Sequence, residues 1–135
     1  MLANDLSAIH TCISDYFDAL YTGDTALLMG KVFHPNAHLY AADMNGAFVD
    51  WPMDEFKAII DGRQSPQANG ADRDERIVMI DEAGLDTVMV KVEVLVGTRE
   101  FVDYLSLLKL DGTWRIISKT CVMVNDRAQQ KAAAE

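Results

Sequence analysis

At 135 residues, half of them hydrophobic, the chain suits one domain that buries about two thirds of its unfolded surface. A formal net charge of −9 repels phosphate backbones, which excludes nucleic acid and anionic membrane surfaces as expected partners. There is no apolar run of about 18 residues and no basic-then-apolar leader, and the two cysteines, Cys12 and Cys121, lack any metal-ligand spacing; the expected compartment is cytoplasmic, with free buried thiols.

Taken in chain order, residues 4–22 place Leu6, Ile9, Ile13, Tyr16, Phe17 and Leu20 on one stripe of a 3.6-residue period, predicting an amphipathic helix. Asn4 or Asp5 can cap its start, and Gly23 fits the left-handed position beyond its end. Asp24 opens a second helix running to about Lys31, with Leu27, Leu28, Val32 and Phe33 turned inward and Pro35 as its stop. Residues 37–42 read as a short strand, and Asn45-Gly46 turns the chain into a further extended piece at 47–49. Asp50-Trp51-Pro52 reads as the start of a third helix, with Asp54 and Glu55 at its positive end. Met53, Phe56, Ile59 and Ile60 form its apolar face, and Gly62 ends it. The aperiodic segment 63–73, with Pro66, Asn69 and Gly70, is the expected mobile loop and the candidate lid.

From there the pattern is β. Residues 75–80 form one strand; Thr87–Val96 alternates valines at 88, 90, 92, 94 and 96 with Met89, Lys91, Glu93 and Leu95. A long hairpin follows, residues 99–110 and 113–124 around Asp111-Gly112, a pair suited to positive backbone φ. Residues 125–135, rich in Ala, Gln and Lys, are expected to fray as a tail behind a single domain of residues 1–124. Helices first and a four-stranded antiparallel meander last predict an α+β fold. The meander is apolar enough to need a helical cover on one face.

The run Tyr16-Phe17-Asp18-Ala19-Leu20-Tyr21-Thr22-Gly23-Asp24, the run Val32-Phe33-His34-Pro35-Asn36-Ala37 and the final hairpin, from Phe101-Val102-Asp103-Tyr104 through Trp114-Arg115-Ile116-Ile117 and Lys119, carry a family resemblance. Over nearly the whole chain this pattern resembles the nuclear transport factor 2-like superfamily, and within it the branch named for lumazine binding. The resemblance implies a cone-shaped fold with N-terminal helices packed on a curved, mostly antiparallel sheet, a pocket between them, and a homodimer formed through the outer sheet face. The valine face of Thr87–Val96 suits either the core or that interface.

Tyr16 matches the hydrogen-bonding tyrosine of ketosteroid isomerase, although a core tyrosine on an apolar stripe reads the same way. Where the isomerase has its carboxylate base this chain has Tyr40 or Ala41, with Asp43 further on, and its second acid falls near Ser106. Asp103 and Lys119 are polar residues in apolar strands; they either pair with each other, with Arg63 or with a histidine, or they face a ligand. His34-Pro35 reads as a turn element, while His38 is the acid/base candidate by its ordinary pKa. No phosphate-binding glycine loop, nucleophile elbow or metalloprotease motif occurs, so neither a cofactor nor a metal is expected.

The expectation is therefore a protein that binds a small, flat, partly apolar organic ligand, aromatic compounds among the candidates, in a pocket lined by Tyr16, Phe33, His38, Tyr40, Trp51, Phe56, Tyr104 and Lys119. The alternatives are a cofactor-free isomerase, cyclase or dehydratase using His38 or Asp103 as base with Tyr16 as donor, and a dimeric interaction module with no ligand.

Overall fold

A computed structural model describes residues 3–129. Helix α1 (Ala3–Thr22) buries Ile9, Ile13, Tyr16, Phe17 and Leu20, the expected stripe without its first member, Leu6, which is 43 % exposed. Asp5 lies inside it and does not cap it. Its carboxylate accepts from Trp114 Nε1 at 3.1 Å and pairs with Lys109 Nζ at 2.9 Å, which fastens α1 to the end of the last hairpin. Gly23 takes φ +73°, where a side chain would be strained, and leads into Asp24.

The second helix is shorter than its pattern predicts. Helix α2 (Thr25–Leu27), capped by the Asp24 carboxylate on Leu27 N at 3.0 Å, passes into a single π-helical turn, Leu28–Val32. Strand β1 (Phe33–Ala42) then begins ahead of Pro35, four residues earlier than the sequence suggests. The residue before a proline is pushed towards extended backbone, and the extension spreads back to Phe33. Strand β2 (Phe48–Pro52) takes in Asp50 and Trp51, so the third helix, α3 (Met53–Asp61), starts only after Pro52 and ends at Gly62.

Strands β3 (Glu75–Ala83), β4 (Thr87–Val96), β5 (Arg99–Leu110) and β6 (Thr113–Asp126) form the meander. The six strands make one sheet in the order β2-β1-β6-β5-β4-β3, antiparallel except where β1 runs parallel to β6. The expected tail starts too early: Asn125 and Asp126 belong to β6, opposite Glu100 and Arg99. Arg127 continues the tie through its N–H to Thr98 O at 2.8 Å and its Nε to Glu100 at 2.7 Å. Residues 130–135 of that tail lie outside the described residues.

The helices cover one face of this sheet. Val88, Val90, Val92 and Val94 are buried beneath them with Leu105, Leu107 and Ile116, so the valine face of β4 belongs to the core. At about 25 cal/mol per Å² of buried apolar surface, each buried valine or leucine contributes about 1.5–3 kcal/mol.

The segment 63–73, expected as a mobile loop and candidate lid, makes several contacts with the end of α1. Gln67 N–H donates to Tyr21 O at 3.0 Å and Tyr21 Oη donates to Ala71 O at 2.7 Å. Arg73 lies 5.0 Å over the Tyr21 ring and pairs with Asp18 at 2.8 Å.

A β-bulge decides what faces the core. Between β5 and β6 the pairing runs Leu107 to Ile116 and then Ser106 to Ser118, leaving Ile117 as an extra residue in β6. Side chains alternate faces along a strand, so one inserted residue reverses the parity. Before the bulge Trp114 and Ile116 are the buried residues; after it Lys119 is buried while Ser118 and Thr120 are not. Ile117 is thus the reason a lysine points into the interior.

Candidate functional site

On the floor beneath α1, Asp103 is fully buried and Lys119 is 7 % exposed. Tyr16, from the middle of α1 and also fully buried, donates its hydroxyl to Asp103 Oδ2 at 2.6 Å. Lys119 Nζ stands 3.9 Å from the same oxygen, at the edge of ion-pair distance. The ammonium is flanked by two rings, 4.8 Å from the centroid of Phe56 and 5.2 Å from that of Tyr16. Phe33 braces both rings edge-on, with centroids 6.0 Å away. Burial and the Asp103 carboxylate push the Tyr16 hydroxyl well above its ordinary pKa, so it stays protonated and donating. The other carboxylate oxygen, Asp103 Oδ1, is buried with no hydrogen-bond partner among the described residues. An unsatisfied buried carboxylate oxygen is costly, about 1–3 kcal/mol or more for a charged group.

Beside this group opens a cavity of about 310 Å³, at the lower end of the range for small-molecule sites. Its walls come from Leu39, Val49, Trp51, Phe56, Val94 and Phe101; Asp103, Lys119 and Cys121 line it on the sheet side. Burial raises the Cys121 thiol above its ordinary pKa, which leaves it an inert packing group. At the rim stand Asp43, Arg63 and Arg99. The Asp43 carboxylate is occupied by the backbone N–H groups of Asn45 and Ala47, at 2.8 and 2.9 Å. A wider groove of about 610 Å³ adjoins this cavity and shares Arg63, Val96, Arg99 and Phe101 with it.

Of the expected pocket residues, Trp51, Phe56 and Lys119 line this cavity, as does Asp103. Phe33 and Tyr16 sit behind them as buried support. The Tyr16 hydroxyl is engaged with Asp103, which makes Tyr16 a positioning residue for that carboxylate.

His38, Tyr40 and Tyr104 are on the other face. In β1 it is Ala37 and Leu39 that are buried, and the alternation puts His38 and Tyr40 outside, opposite Ser118 and Thr120 of β6. There His38 Nδ1 contacts Asp50 Oδ1 at 2.6 Å, and the imidazole stacks on Tyr40, which stacks on the exposed Phe48. Tyr104 neighbours the inward Asp103, so it is 44 % exposed, with Lys91 Nζ 5.5 Å over its ring. His34 accepts the Asn36 N–H on Nδ1 at 3.0 Å, a turn contact of the kind its sequence suggests.

Sequence reasoning missed Leu39, Val49, Val94 and Phe101 as walls, and Arg99 at the rim. The apolar alternation Ala37-Leu39-Ala41 could have identified the inner face of β1, and Phe101-Asp103-Leu105-Leu107 that of β5. Nothing local marks Arg99.

The family described as "Putative lumazine-binding" matches residues 4–121. No curated protein matches the chain. Among solved structures, the chain is similar to an NTF2-like protein of unknown function from Shewanella baltica OS155, with 20% sequence identity, a TM-score of 0.83, and coverage of 93% of this chain and 98% of that one. An NTF2-like protein of unknown function from Methylobacillus flagellatus KT gives 24% identity and a TM-score of 0.79 over 93% and 96% of the two chains. A ketosteroid isomerase-like protein from Erwinia carotovora atroseptica SCRI1043 gives 12% identity and a TM-score of 0.70 over 92% and 99%. At these identities the structures share the fold, with no activity carried across. The match over residues 4–121 makes this chain a member of the family described as Putative lumazine-binding, with a fold like that of the NTF2-like proteins.

Proposed function

We propose that the protein binds a small, flat, partly apolar organic molecule in the cavity between α3, β1, β2 and the inner face of the meander. The observation that carries this reading is the combination of an apolar cavity of about 310 Å³ with a buried, half-satisfied carboxylate, Asp103, on its wall. A ligand hydroxyl or N–H reaching Oδ1 would supply the missing hydrogen bond. Pteridines are the natural first probes given the family's description, followed by flavins, aromatic acids and steroids.

A thermal-shift screen against those four classes tests the proposal. Ligand at a hundredfold excess over Kd stabilises a folded protein by about 2.7 kcal/mol, a shift of several degrees. The shift is expected to disappear in Ala41→Trp, which places an indole against the cavity wall. A screen with no shift in any class, or a shift that survives Ala41→Trp, sinks the reading.

A second reading, a cofactor-free isomerase, cyclase or dehydratase, is favoured by the free oxygen itself. Oδ1 of Asp103 could take a proton from a bound substrate while Tyr16 holds Oδ2 and Lys119 balances the charge. His38 has no part in it, being on the outer face. Turnover of a bound compound that persists in Asp103→Asn would remove this reading. We also infer a homodimer through the outer sheet face, where Tyr104 and Val122 are 44 and 52 % exposed; sedimentation equilibrium showing only monomer would exclude it. The free thiols Cys12 and Cys121 suit a reducing, cytoplasmic setting.

A further inference from the structure

The rim of the cavity differs electrostatically from the rest of the surface. Cations on this acidic chain otherwise have partners among the described residues: Lys31 with Asp15, Lys57 with Asp61, Arg73 with Asp18 and Glu75, Arg76 with Glu93, and Lys109 with Asp5. Arg127, which lines the adjoining groove, is neutralised by Asp74 and Glu100. Arg115 donates to the carbonyls of Gly30 and Phe33, and Lys91 lies over Tyr104. Arg63 and Arg99 alone have no carboxylate, carbonyl or ring partner among the described residues, and both line the same cavity.

Two like charges facing one space raise each other's energy unless an anion lies between them. Consistent with that, partial burial and the neighbouring Arg99 charge both hold the Arg63 guanidinium below its ordinary pKa. Asp72 lines the adjoining groove without pairing with either arginine, and Asp43 is committed to its own turn. In a chain of 21 acidic and 12 basic residues, two arginines left without counterions at the mouth of an apolar cavity are poor support for the fold and good support for binding.

We infer that the ligand is an organic acid, its apolar body held against Trp51, Phe56 and Phe101 and its carboxylate received at the rim by Arg63 and Arg99. Guanidinium groups match a carboxylate in bidentate geometry. Among the described residues the lining of the cavity itself holds those two forks and no glycine, which favours a carboxylate over a phosphate ester cradled by backbone N–H groups. This assignment rests on the cavity being the ligand site, and deepens that proposal by fixing the ligand's charge and its orientation: acid outward, ring inward towards Asp103 and Lys119.

The test is isothermal titration calorimetry with cinnamate, its neutral isostere cinnamamide, and cinnamyl phosphate, on wild type and on the double variant Arg63→Gln/Arg99→Gln. Neither arginine belongs to the buried core, so the double variant keeps the core intact. Cinnamate is expected to bind wild type about tenfold more tightly than cinnamamide, a difference of about 1.4 kcal/mol. In the double variant that preference is expected to fall to less than about twofold, with an unchanged far-UV circular dichroism spectrum and melting temperature of the free protein as the folding control. Added salt should erode the preference in wild type. Equal binding of acid and amide to wild type overturns the carboxylate assignment and leaves the cavity reading standing. Tighter binding of the phosphate than of cinnamate overturns it in favour of a phosphate ester. Binding of none of the three, with no probe class shifting the melting temperature either, removes the cavity reading and the assignment together.

Discussion

The two faces of the sheet carry nearly the same set of groups in opposite surroundings. Inside, a carboxylate, a phenol, a cation and a phenyl ring meet as Asp103, Tyr16, Lys119 and Phe56. Outside, Asp50, His38, Tyr40 and Phe48 form a row across β1 and β2. Strand parity turns Asp103 and Lys119 inward, where Tyr16 of α1 and Phe56 of α3 meet them, and turns His38 and Tyr40 outward; burial sets what each group is worth. In water-excluded surroundings a carboxylate must be satisfied or it is costly; at the surface, solvent satisfies it. Polar residues of the same types therefore act as a demanding, specific site on one face and as a weakly coupled ornament of the surface on the other.

The largest expected effect comes from breaking the inner row. Asp103→Ala leaves Lys119 buried among Tyr16 and Phe56 without a counterion, and removal of one partner of a buried pair costs about 3–5 kcal/mol. Urea unfolding followed by circular dichroism should show that loss as a lower midpoint with unchanged slope. The double variant Asp103→Leu/Lys119→Met removes both charges and should recover most of it. If the double variant is no more stable than the single one, the pair is not what the floor depends on.

How much of this could be read beforehand differs by element. The period-two alternation of Thr87–Val96 and the positive-φ pair Asp111-Gly112, at φ 49° and 78°, gave strand and turn where they occur, because both signals are local. The inward direction of Lys119 was legible only as an oddity, since it depends on the bulge at Ile117, which is set by pairing with β5. Alternation puts His38 and Tyr40 on one face of β1 without saying whether that face is the inner one. That choice is made by the parallel pairing of β1 with β6, a long-range fact, although the apolar Ala37-Leu39 set pointed the other way. Arg63 and Arg99 lie 36 positions apart and meet only at the cavity rim, so no spacing rule could pair them.

A smaller effect sharpens the inner row through pH. Tyr16 has its pKa raised by burial and by the Asp103 charge, so the folded state keeps a proton that the unfolded chain gives up near pH 10. Above that pH the unfolded state binds fewer protons than the folded one, and stability falls by up to about 1.4 kcal/mol per pH unit; below pH 10 the contribution is fully present. Tyr16→Phe should lose about 1–3 kcal/mol at neutral pH, because Asp103 Oδ2 loses its donor, yet show a shallower decline between pH 10 and 11 than wild type. Parallel declines for the two proteins would mean that Tyr16 ionises as an ordinary surface tyrosine does.

The smallest effect belongs to the outer row, and it is the sharpest check on the assignment of faces. The His38–Asp50 contact has partner side chains 36 and 44 % exposed, and exposed pairs are worth about 0–1 kcal/mol. Replacing His38 with Ala should therefore move the unfolding midpoint by no more than about 1 kcal/mol, and the stacking of Tyr40 on Phe48 can persist without it. Any ligand-induced rise in melting temperature should be the same in His38→Ala as in wild type, because Leu39, and not His38, faces the cavity. A ligand shift abolished by His38→Ala would put the binding surface on the outer face. The apolar cavity and its two unpaired arginines would then need another explanation, since a single strand cannot present His38 and Leu39 to the same ligand.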